Sequence, residues 1–236
     1  MKMKYFLICL LFLFFKSNAQ VDPLGTYNRY VVENWAGEYV RIGPYQVKGS
    51  PYLFGESFPG SILYKGGKSV ANTKILYDVY SQKAGIAVDN KIFEAEDAVE
   101  AFVISLSDKL GANRLLFKNS YIYGKPEMKS YLNVLEDGEK VAFLKQFKSK
   151  LLPDPTNTMA KDKKIFDQYY EYYIYLKQNK ELYKIKLKEK DIMKRFGNDE
   201  QIKNYLSQNV VDFSKENEVI SFLNKYNNNF SLLQKK

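Results

Sequence analysis

Three short turn signals set between alternating runs of apolar and polar residues constrain this chain more than anything else in it. Lys65-Gly66-Gly67-Lys68 offers two residues that accept positive φ, as a tight hairpin needs. Glu136-Asp137-Gly138-Glu139 offers Asp-Gly, and Lys177-Gln178-Asn179-Lys180 reads as a third hairpin. Beyond that third turn the alternation is clean. Tyr183, Ile185 and Leu187 fall on one face, and Lys184, Lys186 and Lys188 on the other, the pattern of a half-buried strand. Hairpins make antiparallel neighbours, so the sheet expected here is a meander and not a series of βαβ units.

The same reading extends over most of the chain. Candidate strands are Tyr39–Gly49, Ser61–Lys65, Thr73–Ser81, Ile86–Val88, Ala101–Leu106, Arg114–Tyr123, Ser130–Glu136, Lys140–Lys148, Phe166–Leu176 and Leu182–Leu187. Two of them carry helical spacing as well: Val141, Phe143, Phe147 and Leu151 in one, Phe166, Tyr169, Tyr170 and Tyr173 in the other. Each flanks a hairpin signal, which selects strand. Between them Leu151–Lys164, with two prolines and many polar residues, reads as a loop or linker and as the best internal boundary.

After Leu187 the period changes from two to about 3.6. Asp191–Phe196 reads as a helical turn ended by Gly197. Asn198 is placed to cap a helix through Leu206, with Gln201 completing a capping box. Ser214 is placed to cap another, running to about Tyr226, with Val219, Ile220, Phe222, Leu223 and Tyr226 as its apolar face. That face is large enough to predict packing on the same domain. The expected class is α+β: a curved antiparallel meander of about eight to ten strands, partly barrel-closed or open, with small C-terminal helices. The expected division is residues 1–19 signal, 20–37 lead-in, 38–188 β domain and 189–236 packed helical segment.

The first nineteen residues read as a cleavable signal peptide. Lys2 and Lys4 precede an eleven-residue apolar run, Tyr5–Phe15, and small residues Ser17 and Ala19 precede the cut. As a membrane anchor the run falls short of the roughly 20 residues a span requires. Cys9 sits inside the run and not at its far end, which argues against lipidation there. The expected location is the periplasm, the outer membrane surface or the exterior.

Composition then excludes chemistry. There is no histidine, and the one cysteine, Cys9, leaves with the signal. Serine–histidine and cysteine–histidine nucleophile systems are therefore excluded, as are thiolate or imidazole zinc sites. Carboxylate chemistry and oxygen-ligated cations remain open. Glu94, Glu96, Asp97 and Glu100 form an acidic cluster, but without calcium-loop spacing. It reads as a polar loop, so no metal or other cofactor is expected. The basic surplus lies beyond Pro155, where 16 basic residues face 11 acidic ones. Interspersed acids make this a solvated surface or a contact for an acidic envelope, and nucleic acid is not expected.

Several segments in order, Gly49–Gly67, Ile75–Ile86, Ser130–Phe147 and Glu181–Leu206, resemble an uncharacterised family of secreted proteins from Bacteroidota. The resemblance covers roughly residues 40–226 and implies an exported, β-rich domain with a helical C-terminus. It brings no catalytic residues.

Two aromatic groups are the candidate binding residues. Tyr52, Phe54 and Phe58 stand in a Pro/Gly-rich segment, either presented to a glycan or partner or completing the core. Tyr169, Tyr173 and Tyr175 share one face of a tyrosine-rich strand, either as a ligand platform or covered by the C-terminal helices. The functional expectation is a non-enzymatic exported protein that binds an envelope protein or surface glycan. The alternatives are a carrier holding a lipid or other apolar ligand within a curved sheet and, further off, a carboxylate-based hydrolase.

Overall fold

The structure, a computed structural model, describes residues 40–42, 45–88, 91–95, 99–106, 114–122, 130–156 and 162–230. Residues 1–19, expected to be a signal segment, and the expected lead-in 20–37 lie outside the described residues. So do Glu96 and Asp97 of the acidic cluster.

The described residues form twelve strands in one sheet, more than the eight to ten expected. They are β1 (Val40–Ile42), β2 (Tyr45–Lys48), β3 (Phe58–Tyr64), β4 (Ser69–Asp78), β5 (Lys83–Val88), β6 (Lys91–Glu94), β7 (Val99–Ser105), β8 (Arg114–Lys118), β9 (Leu132–Asp137), β10 (Val141–Pro153), β11 (Lys163–Leu176) and β12 (Glu181–Ile185). The expected strand Tyr39–Gly49 thus divides into β1 and β2. Three helices follow: α1 (Glu189–Met193), α2 (Glu200–Gln208) and α3 (Glu216–Asn227).

The sheet runs β1-β2-β11-β10-β9-β8-β7-β3-β4-β5-β6, with β12 also pairing with β11. All neighbours are antiparallel but β2 and β11, which run parallel. The meander is interrupted twice, where β11 lies beside β2 and where β7 returns to lie beside β3. The sheet is open: β1 and β6 are its two ends.

The turn chemistry is where the alternation put it. Gly66 and Gly67 both have positive φ, at 87° and 82°. Gly138 serves differently, since a Cβ there would lie 2.0–2.4 Å from side-chain atoms of Asn227. The turn needs a glycine because α3 presses against it. Leu151–Lys164 is no boundary, because β10 and β11 remain paired out to Pro153 and Lys164.

The sheet curls until the β4–β5 turn reaches the exposed edge of β10. Ser149 N–H donates to the Val79 carbonyl (3.0 Å), and Gln82 Nε2 donates to the Phe147 carbonyl (2.9 Å). Inside the curl Phe102 and Phe117 stack at 4.7 Å, with Tyr77, Ile62 and Ile75 buried around them. Further along the same concave face, Val141, Phe143, Tyr172, Ile174 and Ile185 lie beneath the helices. Val219, Phe222 and Leu223 of α3 are at most 1% exposed there. Each such side chain gains roughly 1.5–3 kcal/mol on burial, and helices this short do not stand alone. Asn227 fixes the end of α3. Its Oδ1 accepts from Lys140 N–H (3.1 Å) and Val141 N–H (3.0 Å), and its Nδ2 donates to the Val141 carbonyl (3.1 Å).

The caps differ from expectation. Asp199, not Asn198, caps α2, accepting from Gln201 N–H and Ile202 N–H. Ser214 does not cap α3, which starts after Lys215 without a side-chain cap. Asp212 instead accepts from both the N–H and the hydroxyl of Ser214. In both places a carboxylate is the stronger acceptor.

Candidate functional site

Between the curl and the helices the concave face is left with an open groove of about 370 Å³, lined by Leu53, Phe54, Leu115, Leu135, Phe147 and Tyr170 and by the polar groups Lys145, Gln168 and Glu216. β10 and β11 build its floor. Their register sets Phe147 opposite Tyr170 and Lys145 opposite Tyr172. Lys145 also faces Asn133 of β9.

The charges in the groove neutralise each other. Lys145 Nζ lies 2.7 Å from Glu216 Oε2 at the start of α3. The Tyr172 hydroxyl donates to the same oxygen at 2.6 Å. Burial and this carboxylate together push the Tyr172 phenol well above its usual range. The ammonium is also surrounded by rings, 4.3 Å from the centroid of Tyr170, 5.3 Å from Phe147 and 5.5 Å from Tyr172.

The opposite wall is a turn of 3₁₀ helix, Leu53–Gly55. Leu53 points into the core, while Phe54 sits at φ 50°, ψ 8°. Left-handed backbone costs a non-glycine residue roughly 1–2 kcal/mol. The Phe54 ring stays 38% exposed, edge-on to Phe58 and Phe147 at 6.0 Å each. Tyr170 across the mouth is 54% exposed.

The sequence candidates divide. Phe54 lies in the groove and Tyr169 borders it, while Tyr52, Phe58, Tyr173 and Tyr175 do not line it. Phe58, 4% exposed, is a core residue behind Phe54. Tyr52, 2% exposed, bridges to Asp78 at the end of β4. Burial, with the nearby Asp78 charge, raises the Tyr52 phenol far above its usual range. The ring of Tyr169 points to the convex face, 4.6 Å from Lys150 Nζ.

Tyr173 and Tyr175 also face the convex side, and the helices do not cover them. Their cover is Tyr121, Leu132 and Leu182. The helices lie instead over Tyr172 and Ile174. The Tyr173 hydroxyl donates to Glu171 Oε2 (2.9 Å). Burial opposes ionisation of Glu171, but hydrogen bonds from Lys184 and Tyr173 and the Lys148 charge hold it below the usual carboxylate range.

Lys145, Phe147, Tyr170 and Glu216 were not singled out from the sequence. The alternation does place Tyr170 on the face of Tyr172, but nothing in it distinguishes a covered tyrosine from an open one. Of the acidic cluster, Glu94 pairs with Lys83 at 2.8 Å on the surface. Among the described residues no cluster of three or more metal-ligating side chains occurs. A larger depression of about 620 Å³ lies by the β9–β10 and β11–β12 turns, lined by Lys140, Lys177, Arg195 and Asp199. Within it Lys177 pairs with Asp137 at 2.6 Å and Asp199 caps α2. Among the described residues no helix is long and apolar enough to cross a membrane.

No family model, no curated protein and no solved structure matches this chain.

Proposed function

We propose that this is an exported envelope or secreted protein that binds a protein partner through the groove between the Leu53–Gly55 turn and the start of α3. The observation that carries the reading is Phe54. A phenylalanine in left-handed backbone, with its ring open to solvent, costs stability twice. It is explained if the ring is an anchor for something that covers it. Tyr170 across the mouth supplies a second ring with a polar tip, a residue type enriched at interfaces.

The groove suits the apolar side chains of a partner. Its one ion pair is internal, so it presents no unpaired charge to a ligand. The carrier reading has less support, because packed side chains occupy the concave face on both sides of the groove. A carboxylate hydrolase needs a second acid roughly 5–10 Å away, and Glu216 is already held by Lys145 and Tyr172.

A pull-down from envelope extract in mild salt tests the proposal. Wild-type protein should retain a defined partner, and Phe54→Ser should release it while keeping a native circular dichroism spectrum. Recovery of no partner, together with an identified turnover reaction, rejects the reading.

A further inference from the structure

The rim of this groove includes an interruption in the sheet. On the side of β11 away from β10, β2 pairs only with Lys163–Ile165, and β12 only with Tyr172–Leu176. Among the described residues no strand lies beside the six residues between, Phe166–Glu171, although Gly49 packs against the Phe166 backbone. At about 3.3 Å per residue the gap is ~20 Å long.

The hydrogen-bond phase of the hairpin settles which groups face this gap. Lys177 N–H donates to the Lys140 carbonyl, so these two residues form a hydrogen-bonded pair. Counting in twos along the register, Gln146–Glu171, Lys148–Tyr169 and Lys150–Asp167 are hydrogen-bonded pairs too. Gln168 and Tyr170 therefore turn their N–H and C=O away from β10, into the gap. Their partners on β10 confirm the phase. Ser149 and Phe147 turn their backbone groups to the opposite edge, where Val79 and Gln82 take them up.

The fold thus closes one edge of this hairpin with a turn and leaves the other open. Among the described residues nothing bonds the outward groups of Gln168 and Tyr170. The chain turns at Gly49, φ 84°, against the Phe166 backbone, and beyond it the Gln168 side chain donates from Nε2 to the carbonyls of Ser50 and Tyr52. A bare edge of this kind is one that folded proteins normally block.

We propose that the gap receives an extended segment of a partner protein, which adds a strand alongside Gln168–Tyr170. This rests on the partner-binding reading above and supplies its mode. Only a polypeptide backbone offers donors and acceptors at the two-residue spacing of these groups. Side chains of the added strand on the concave side lie against Tyr170 at the groove mouth, which calls for aromatic or large apolar residues. On the convex side the gap is flanked by Lys48 of β2 and Lys184 of β12, with Lys148 and Lys150 one strand further in. Asp167 and Glu171 are the acids within the gap, and Glu171 already pairs with Lys184 and Lys148. The convex side therefore calls for acidic residues, and the segment recognised is one in which acidic and aromatic or apolar residues alternate.

The experiment measures fluorescence anisotropy of a labelled eight-residue peptide with aspartate alternating with phenylalanine and valine. Its controls are a block-ordered peptide of the same composition and a copy N-methylated on alternate backbone amides. The full chain is used as wild type, Tyr170→Pro and Phe54→Ser. Proline at 170 removes an outward N–H and no ladder bond, so circular dichroism and melting temperature should hold. The alternating peptide should bind wild type, and lose at least about tenfold in affinity on N-methylation or against Tyr170→Pro. If the N-methylated peptide binds equally well, strand addition is wrong; that arm needs no variant. Binding that survives N-methylation but falls with Phe54→Ser leaves the groove reading standing alone. Binding that needs position 170 but not Phe54 keeps strand addition and removes the groove from it. No binding of the alternating peptide overturns the proposal, as does a wild-type dimer that Tyr170→Pro dissolves, since the gap would then serve a second copy.

Discussion

The two ends of the β10–β11 hairpin are made from the same kind of sequence and have opposite fates. At the end away from the connecting loop, Val141–Leu144 and Tyr172–Leu176 are covered on both faces, by α2 and α3 on one side and by Tyr121, Leu132 and Leu182 on the other. Towards the tip, Lys145–Pro153 and Lys163–Glu171 carry the same alternation of apolar and polar residues, yet Asp167, Gln168 and Tyr170 are exposed. The strands do not differ in propensity; what differs is the third layer. A tyrosine buries its ring wherever another element arrives to cover it and keeps it in water where none does. The covered end should therefore carry the stability and the open end the recognition.

Ending the chain after Lys188 tests that division most severely. It removes the cover from Val141, Phe143 and Ile174, and the protein should fail to fold or lose several kcal/mol in chemical denaturation. Phe222→Ala is the point-mutant form and should cost about 3–5 kcal/mol. An unchanged melting temperature for the truncated chain would make the helices an appendage.

Gly138→Ala is next. Its new Cβ cannot coexist with Asn227, so the end of α3 must lift from the β9–β10 turn. Asn227→Ala leaves the N–H groups of Lys140 and Val141 without their acceptor. Each should cost about 1–3 kcal/mol. The pair should be strongly non-additive in a double-mutant cycle, since both break one contact.

Gln82→Ala should cost about 1 kcal/mol and expose the Phe147 carbonyl on the β10 edge. Concentration-dependent light scattering should then rise, because that edge loses its cover. The same turn contains Asp78, whose pKa is raised chiefly by burial, against hydrogen bonds from Ser81 and Tyr80. A raised folded-state pKa favours folding below the ordinary carboxylate range, and that contribution is lost as pH rises through the shifted value. Asp78→Asn keeps an acceptor for both N–H groups, and it should flatten the fall in melting temperature as pH rises above the ordinary carboxylate range.

Tyr170→Ala should have the smallest effect, within about 0.5 kcal/mol. A larger loss would mean that the open end is structural after all.

Much of the architecture was legible beforehand, because it depends on local rules. Period-two alternation, Gly-Gly and Asp-Gly turns and the change of period after Leu187 are properties of neighbouring residues. They correctly selected strand over helix for β10 and β11, although both also carry helical spacing. They missed β6, four residues with little alternation to read. They also misplaced two caps, where adjacent polar residues compete and geometry chooses between them.

The groove was legible only in fragments. Phe54 and Tyr169 stood out by composition, but 115 residues of chain separate them, and only the curl of the sheet brings them to one rim. The Lys145–Glu216 pair spans 71 positions and depends on where α3 lands. The open edge of β11 was invisible to sequence, because strand alternation records which face a side chain takes and is silent about which backbone groups find a neighbour. The sequence by itself determined most of the strands, the hairpins and the exclusion of histidine chemistry, with Cys9 the one thiol of the chain. The tertiary structure decided which tyrosines are covered and which edge is left open, because both depend on elements that arrive from elsewhere in the chain.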